Sequence, residues 1–472
     1  MTPNLSPRLR AAILVIRGGT VFGPDGPHDA DVHVVDGVIT HVETGRTAPA
    51  GAIVIDARGM HVLPGAIDAH VHSRDPGFPE KEDFGTLTAA AAMGGVTTVL
   101  DMPNTVPAVD AAGVMEAKAA LARPKARVDF GLWAMIRSSS SADQLEALAE
   151  AGAVGFKAYL GYGFSRSRKQ VLQTWSPDAP DVEAPPDYGT LARLAPVVAR
   201  LGLPLAIHAE DPTVLAAFRR PLETYGDLLE SRPAEAEAVA ISAATAIANE
   251  TGVRLHVAHL SSALGLRAAE DAMRMGTQMT LETCPQYLFL TDQDFNRLGT
   301  AMKVFPPIRT LADRAALVDA AARGVIRIVA TDHAPHTDEE KARPFEQAPS
   351  GSPGVQTLYL SCLELAKRLG DESLAPRWVS EGPAALAGLH ETKGAIAPGF
   401  DADLVIIDPN RVTRIRPALM RSRQRHGALD GQEFSFVVRD VFLRGHAVVR
   451  DGKRVGRAAG RMVRPARIPV RA

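Results

Sequence analysis

The chain reads as an α/β protein: a (β/α)8 TIM-like barrel with a small β-rich domain formed from both chain ends. Three observations predict it. Eight short apolar runs alternate with amphipathic stretches through the middle of the chain. Both ends switch to short, alternating β-type segments. The residues best suited to chemistry fall at the C-terminal ends of the apolar runs, the ends that gather on one face of such a barrel.

After Val62-Leu63-Pro64-Gly65 the apolar runs occupy residues 66–72, 96–102, 128–136, 153–160, 203–208, 253–260, 278–283 and 325–331. Ala- and Leu-rich amphipathic stretches follow at 83–93, 110–122, 141–151, 188–201, 233–250, 263–274, 311–323 and 354–369. Strict alternation of strand and helix requires parallel strands with crossover helices, and eight units close a barrel. A doubly wound open sheet is the rival. It would carry a GxGxxG fingerprint after the first run, which is missing, and would not spread ligand-type residues over at least five runs.

The ends differ from the middle. Residues 12–62 contain Ala30-Asp31-Val32-His33-Val34-Val35-Asp36-Gly37-Val38-Ile39, with Asp-Gly at a hairpin position. Residues 394–456 repeat the style in Asp403-Leu404-Val405-Ile406-Ile407 and in Phe436 to Leu443. Short hairpins cannot bury an apolar face alone, so the two ends are expected to pair. The division is therefore 1–62 plus 394–472 for the β domain and 63–393 for the barrel. From Ala458 a tail with Arg461, Arg464, Arg467 and Arg471 reads as a solvated or partner-contacting extension. Residues 164–187, polar and proline-rich after the fourth run, read either as a lid over the barrel mouth or as a mobile insertion.

Composition narrows the function classes. With 472 residues, 46% hydrophobic and 22% charged, the chain can bury a large core and a second domain. A net charge of -2 gives no reason to expect nucleic acid or a membrane surface as partner. Cys284 and Cys362 are too few for a disulfide framework, which points to the cytoplasm. The apolar run 11–16, after Arg8 and Arg10, is too short for a signal sequence and reads as a strand.

The chemistry begins at His70-x-His72. Residues two apart in a strand share a face, so both imidazoles can reach one point in the barrel mouth. Alone the pair is weak and chance would explain it; at the end of Pro64-Gly65-Ala66-Ile67-Asp68-Ala69-His70 it is specific. Asp68 lies on the same face, one step deeper, where it can support the pair. Lys157, in Gly155-Phe156-Lys157-Ala158-Tyr159-Leu160, is either a snorkelling side chain or a buried amine whose depressed pKa would let it take up CO2. His208, His259 and Asp332 end the fifth, sixth and eighth runs. His256, three residues before His259, is placed on the other face as a structural histidine.

These residues make the chain resemble the amidohydrolase superfamily, and within it the cyclic amidohydrolases: dihydroorotase, allantoinase and hydantoinase. The resemblance covers nearly the whole chain. It implies two divalent metal ions, zinc by the ligand types, with His70, His72 and Asp332 on one, His208 and His259 on the other, and N6-carboxylated Lys157 bridging them. It also implies attack of a metal-bridging hydroxide on a cyclic amide, with Asp332 as the catalytic proton carrier and no nucleophilic side chain. A homo-oligomer is expected, as is common in the family.

For the substrate, His70-Val71-His72-Ser73-Arg74-Asp75-Pro76-Gly77 looks like the dihydroorotase pattern, in which this arginine grips the substrate carboxylate. Asn104 and His336 match further substrate contacts, and the Pro353-Gly354 turn matches a loop whose backbone holds the ring. By contrast Glu282-Thr283-Cys284-Pro285-Gln286-Tyr287-Leu288 is more like hydantoinases, and Phe305 stands where dihydroorotases often carry a ring-binding asparagine. The expected activity is therefore dihydroorotase, interconverting dihydroorotate and N-carbamoyl-aspartate. Allantoinase or hydantoinase/dihydropyrimidinase activity is the alternative. A catalytically silent scaffold homologue would have lost ligands, and here all are kept.

Overall fold

The computed structural model describes residues 13–173, 175–176 and 178–466. Arg8, Arg10, the start of the 11–16 run, and Arg467 and Arg471 of the basic tail lie outside the described residues.

Eight barrel strands follow one another: Ala66–Val71, Val96–Asp101, a third in two pieces (Asp129–Leu132 and Ala134–Ile136), Phe156–Tyr159, Pro204–His208, Arg254–Val257, Met279–Thr283 and Ile328–Val329. Each pairs in parallel with its neighbour. A bridge from Val71 to His333 joins the last strand to the first and closes the ring. The third strand breaks at Trp133. The indole turns into the barrel, where Nε1 donates to Ala69 O (3.1 Å) and the ring stacks on His256. Ile67, Ala69, Leu100, Ala206, Ile328 and Ala330 fill the rest of that interior. The eighth strand is only two residues long, against the seven residues of the 325–331 run, because the chain leaves the ladder to form the loop carrying Asp332.

The chain ends build one sheet of nine strands among the described residues. His61–Pro64 pairs with Ile13–Gly23 on one side and with Leu404–Asp408 on the other, in register Val62 to Ile406. The Asp36-Gly37 turn has φ of 50° and 86°, the left-handed pair that a two-residue hairpin needs. Among the described residues no helix is long and apolar enough to cross a membrane.

Two expectations need correction. Residues 164–187 are not an irregular loop: Gly163–Ser165 pairs with Gln170–Leu172 and Val182–Glu183 in a small antiparallel sheet. Glu183 fastens this flap to the barrel by accepting from Arg137, Ser138 Oγ and the Ser139 amide. Nor is the tail a free extension up to residue 466. Phe130 N donates to Arg461 O and Val463 N to Phe130 O, so the tail runs beside the start of the third strand. The backbone needs of that strand decide its path, and Met462 packs on the core behind it.

The domains meet at a buried charge cluster. Lys393 Nζ lies 2.9 Å from Asp129, 3.0 Å from Asp401 and 2.7 Å from Asp403, and Arg444 also pairs with Asp129. Replacing Lys393 by Met leaves three carboxylates facing one another around a missing cation. The expected result is a loss of about 3 kcal/mol or more, the cost of orphaning buried charge, read as a lower urea midpoint.

Candidate functional site

The mouth of the barrel gathers every predicted metal ligand except one into a single cavity wall: His70, His72, His208, His259 and Asp332 line it. Lys157 lies beneath, fully buried, its Nζ without a hydrogen-bond partner. Three of the residues at this mouth have left-handed backbones: Arg74 at φ 59°, His259 at 38° and Asp332 at 48°. Non-glycine residues adopt this region at a cost, and such strain concentrates where surrounding structure holds a side chain in a required direction.

The hydrogen bonds fix which ring nitrogen of each histidine is free. Glu282, on the seventh strand, accepts from His70 Nδ1 (2.8 Å), so His70 Nε2 carries the lone pair. Asn104 Oδ1 accepts from His72 Nδ1 (2.6 Å), leaving His72 Nε2 likewise bare. Both bare nitrogens face one carboxylate oxygen: Asp332 Oδ1 is 2.9 Å from His72 Nε2 and 3.4 Å from His70 Nε2. Burial lowers the His72 pKa, so no proton is available to relieve three converging acceptors. Burial opposes ionisation of Asp332, but His70 and His72 outweigh it and hold the carboxyl below its ordinary range. Three acceptors drawn together call for a cation, and this set fits a divalent metal.

The second half follows the same logic. Glu210 accepts from His208 Nε2 (2.6 Å) and is itself paired with Arg232, so His208 Nδ1 is bare and lies 3.0 Å from His259 Nε2. Burial lowers both imidazole pKa values, that of His259 strongly, and His259 Nδ1 has no partner. The donors present, two neutral imidazoles beside an orphaned amine, fit a second metal. Burial also brings the Lys157 pKa down to about 8, so its free base is accessible near neutrality.

His256 is not on an opposite face. The strand ends at Val257 and the left-handed turn at His259 resets the alternation, so both rings point inward. His256 Nε2 sits 3.3 Å from Glu282 Oε2, and its Nδ1 pairs with Thr280 Oγ1. Glu282 additionally accepts from the His259 amide at 3.1 Å, so one buried carboxylate touches both halves of the site. Sequence reasoning missed Glu282 and Glu210 as site residues. A glutamate inside an apolar strand, and one two residues beyond a ligand histidine, were the available signals.

Among the expected substrate residues, Arg74 and Asn104 line the cavity. Arg74 Nη2 reaches His336 Nε2 (3.2 Å) and Nε donates to Pro335 O (3.3 Å). Burial holds the His336 pKa down at about 3, so that imidazole is neutral. Pro353 and Gly354 stand apart, packed against the 415–430 segment, and the Gly354 amide donates to His333 Nδ1. Ser350 and Gly351, just upstream, line the cavity instead. Tyr159, Tyr162, Gln173 and Phe305 complete the wall, and the buried Tyr159 hydroxyl has no partner. The cavity is only about 40 Å3, but Gln173 and Phe305 also line an adjoining, mostly apolar cavity of about 440 Å3 under the flap.

A second acidic group, Asp129 with Asp401 and Asp403, has the spacing of a cation site. The Lys393 ammonium already fills it, which makes it a structural cluster.

Comparison with known proteins agrees with this geometry. Residues 61–448 match the amidohydrolase family. An allantoinase from Streptomyces avermitilis is 38% identical over 93% of this chain and 96% of its own length. A dihydroorotase from Pelotomaculum thermopropionicum is 35% identical over 93% of this chain and 99% of its own. The solved L-hydantoinase (dihydropyrimidinase) from Arthrobacter aurescens superposes with a TM-score of 0.87 at 27% identity, covering 95% of this chain and 99% of that one.

Two outcomes check the site. Glu282→Gln is expected to weaken zinc binding about 10- to 100-fold, the usual cost of losing a group that orients a ligand histidine, with the far-UV circular dichroism unchanged. Metal content after graded chelation measures it. Lys157→Met should melt above the wild type when both are metal-free. The amine's pKa falls from 10.5 unfolded to about 8 folded, so the penalty for its charge is full below pH 8 and fades as pH rises toward 10.5. The gap in melting temperature should narrow over that window.

Proposed function

The chain belongs to the amidohydrolase family and is a hydrolase of cyclic amides, and we propose that it opens a ring bearing a carboxylate, with dihydroorotate as substrate and N-carbamoyl-aspartate as product. The observation that carries this reading is Arg74. Its guanidinium is buried in the cavity wall, its hydrogen bonds go to a carbonyl and a neutral imidazole, and no carboxylate lies within ion-pair distance among the described residues. A buried cation paired only with neutral groups is short of an anion, and a planar guanidinium matches a carboxylate in two parallel hydrogen bonds.

His70, His72 and Asp332 would hold one zinc ion, and His208 and His259 the second, with carboxylated Lys157 between them. The carboxylation forms a nitrogen–carbon bond between the free amine and CO2 and releases one proton. When bound, such metals make water a nucleophile near neutral pH and polarise the amide carbonyl. The chain's own groups then position and move protons. Arg74 and neutral His336 fix the substrate's carboxylate end, and the unpartnered Tyr159 hydroxyl is free to donate to the ring. Asp332, held ionised, takes a proton from the attacking water and returns it to the departing ring nitrogen.

A second reading, ring opening of allantoin, is supported by the 38% likeness to an allantoinase. The protein is proposed to work as a homo-oligomer in the cytoplasm.

Zinc-loaded protein assayed with dihydroorotate, allantoin, hydantoin and dihydrouracil is expected to show its highest kcat/KM on dihydroorotate. Arg74→Ala should cost about 100-fold or more there and little on dihydrouracil, which lacks the carboxylate. Preference for allantoin, with Arg74→Ala near wild type, would establish the second reading instead. Bicarbonate should speed reactivation of the metal-free protein by zinc, and more so above pH 8 than well below it, because protonation removes the free amine of Lys157.

A further inference from the structure

The barrel carries a second ligand-sized cavity on the face opposite the metal site, and we propose that it binds an organic oxyanion, a carboxylate or phosphate on an apolar body. The cavity has a volume of about 530 Å3, within the 300–1,000 Å3 range of small-molecule sites, and the beginnings of the last three strands reach it at Arg254, Thr280 and Ile328. The residues that bind or act at the metal centre sit at the other ends of those strands, so the two sites are separate.

Its charge is unbalanced. Arg254 is half-buried, and its guanidinium donates only to the carbonyls of Gly202, Ala385 and Leu386. Arg327 donates only to Gly324 O, and Arg377 makes no hydrogen bond or ion pair. Of the other charged groups facing the space, Arg323 is neutralised by Asp319 and Glu270. Glu381 is the one carboxylate in the lining. Three guanidiniums thus face a single carboxylate. Ile326, Trp378 and Leu386, all buried, make an apolar floor beneath them. Guanidiniums select oxyanions by paired hydrogen bonds, and the floor selects an apolar body over a bare inorganic ion.

The probe is anilinonaphthalene sulfonate, which joins a planar apolar body to one anionic head, titrated into the zinc-loaded full chain by fluorescence. One dye per chain is expected, with affinity at least tenfold weaker in Arg377→Ala and in Arg254→Met, and with ring-opening activity unchanged in both. Arg377 is exposed, so that variant is expected to fold normally. Competition by phenyl phosphate and by benzoate tells the two head groups apart, and pyrophosphate, which lacks the apolar body, should compete poorly. Dye affinity unchanged in both variants, or no dye bound by the wild type, would overturn the proposal. So would a change of sedimentation in Arg377→Ala without dye binding to the wild type, since a second copy of the chain would then be covering the groove.

Discussion

The hydrogen bond from His70 Nδ1 to the buried Glu282 carboxylate is the interaction on which the metal site turns. A neutral imidazole has one donor and one acceptor nitrogen, and whichever partner claims the donor decides where the lone pair points. Glu282 claims Nδ1 of His70, Asn104 claims Nδ1 of His72, and Glu210 claims Nε2 of His208. Each choice turns the remaining lone pair toward the cavity. Glu282 also accepts from the amide of His259, so the same carboxylate that orients a ligand of the first metal fixes the backbone carrying a ligand of the second. Burial opposes ionisation of Glu282, yet His70 and His256 hold its carboxyl well below the usual range. It is therefore a dependable acceptor throughout the working pH range.

The barrel delivers these side chains through polar contacts of its own. Asp68 accepts from the amide and hydroxyl of Thr331, which pins the short eighth strand to the first and sets the approach to Asp332. Asp101, paired with buried Lys118, accepts from the amide and hydroxyl of Ser73, directly after the His70-x-His72 pair. Without those anchors the left-handed backbones at Arg74 and Asp332 would relax at a gain of order 1–3 kcal/mol each, carrying their side chains away from the cavity. The strain is tolerated because strand ladders hold both sides of each loop.

This explains which parts of the site were legible in the sequence. The two-residue period of a strand is rigid, so His70 and His72 could be placed together from spacing alone, and apolar runs marked where His208 and Asp332 would emerge. Period counting failed where the ladder stops. Beyond Val257 the left-handed turn at His259 cancels the alternation, which put His256 on the wrong side. The same limit applies at 350–354: loop backbone carries no period, and the residues facing the metal side are Ser350 and Gly351, with Pro353 and Gly354 turned toward the 415–430 segment. Glu282 was hidden for another reason. Its role exists only across strands, through partners 212 and 26 residues away in sequence. The flap at 164–187 looked irregular because its strands are two or three residues long and its order comes from Glu183, Asp181 and their partners.

The remaining constraint is one of space and charge. A cavity of about 40 Å3 has room for a water molecule or two but not for a ring, whereas the cavity of about 440 Å3 beside it could hold one. Phe305 and Gln173 stand between them, Phe305 stacked 3.6 Å from the Arg232 guanidinium and Gln173 bonded to Ser350 O. Neither is part of a strand, and moving them breaks no ladder bond, so the two cavities can merge at small cost. A substrate entering from the apolar side would meet Arg74 on the far wall beside His72. Apolar contacts would then accept the ring before the carboxylate finds its partner. The ring amide would be left against His70, Lys157 and Asp332, where the chain has concentrated its lone pairs.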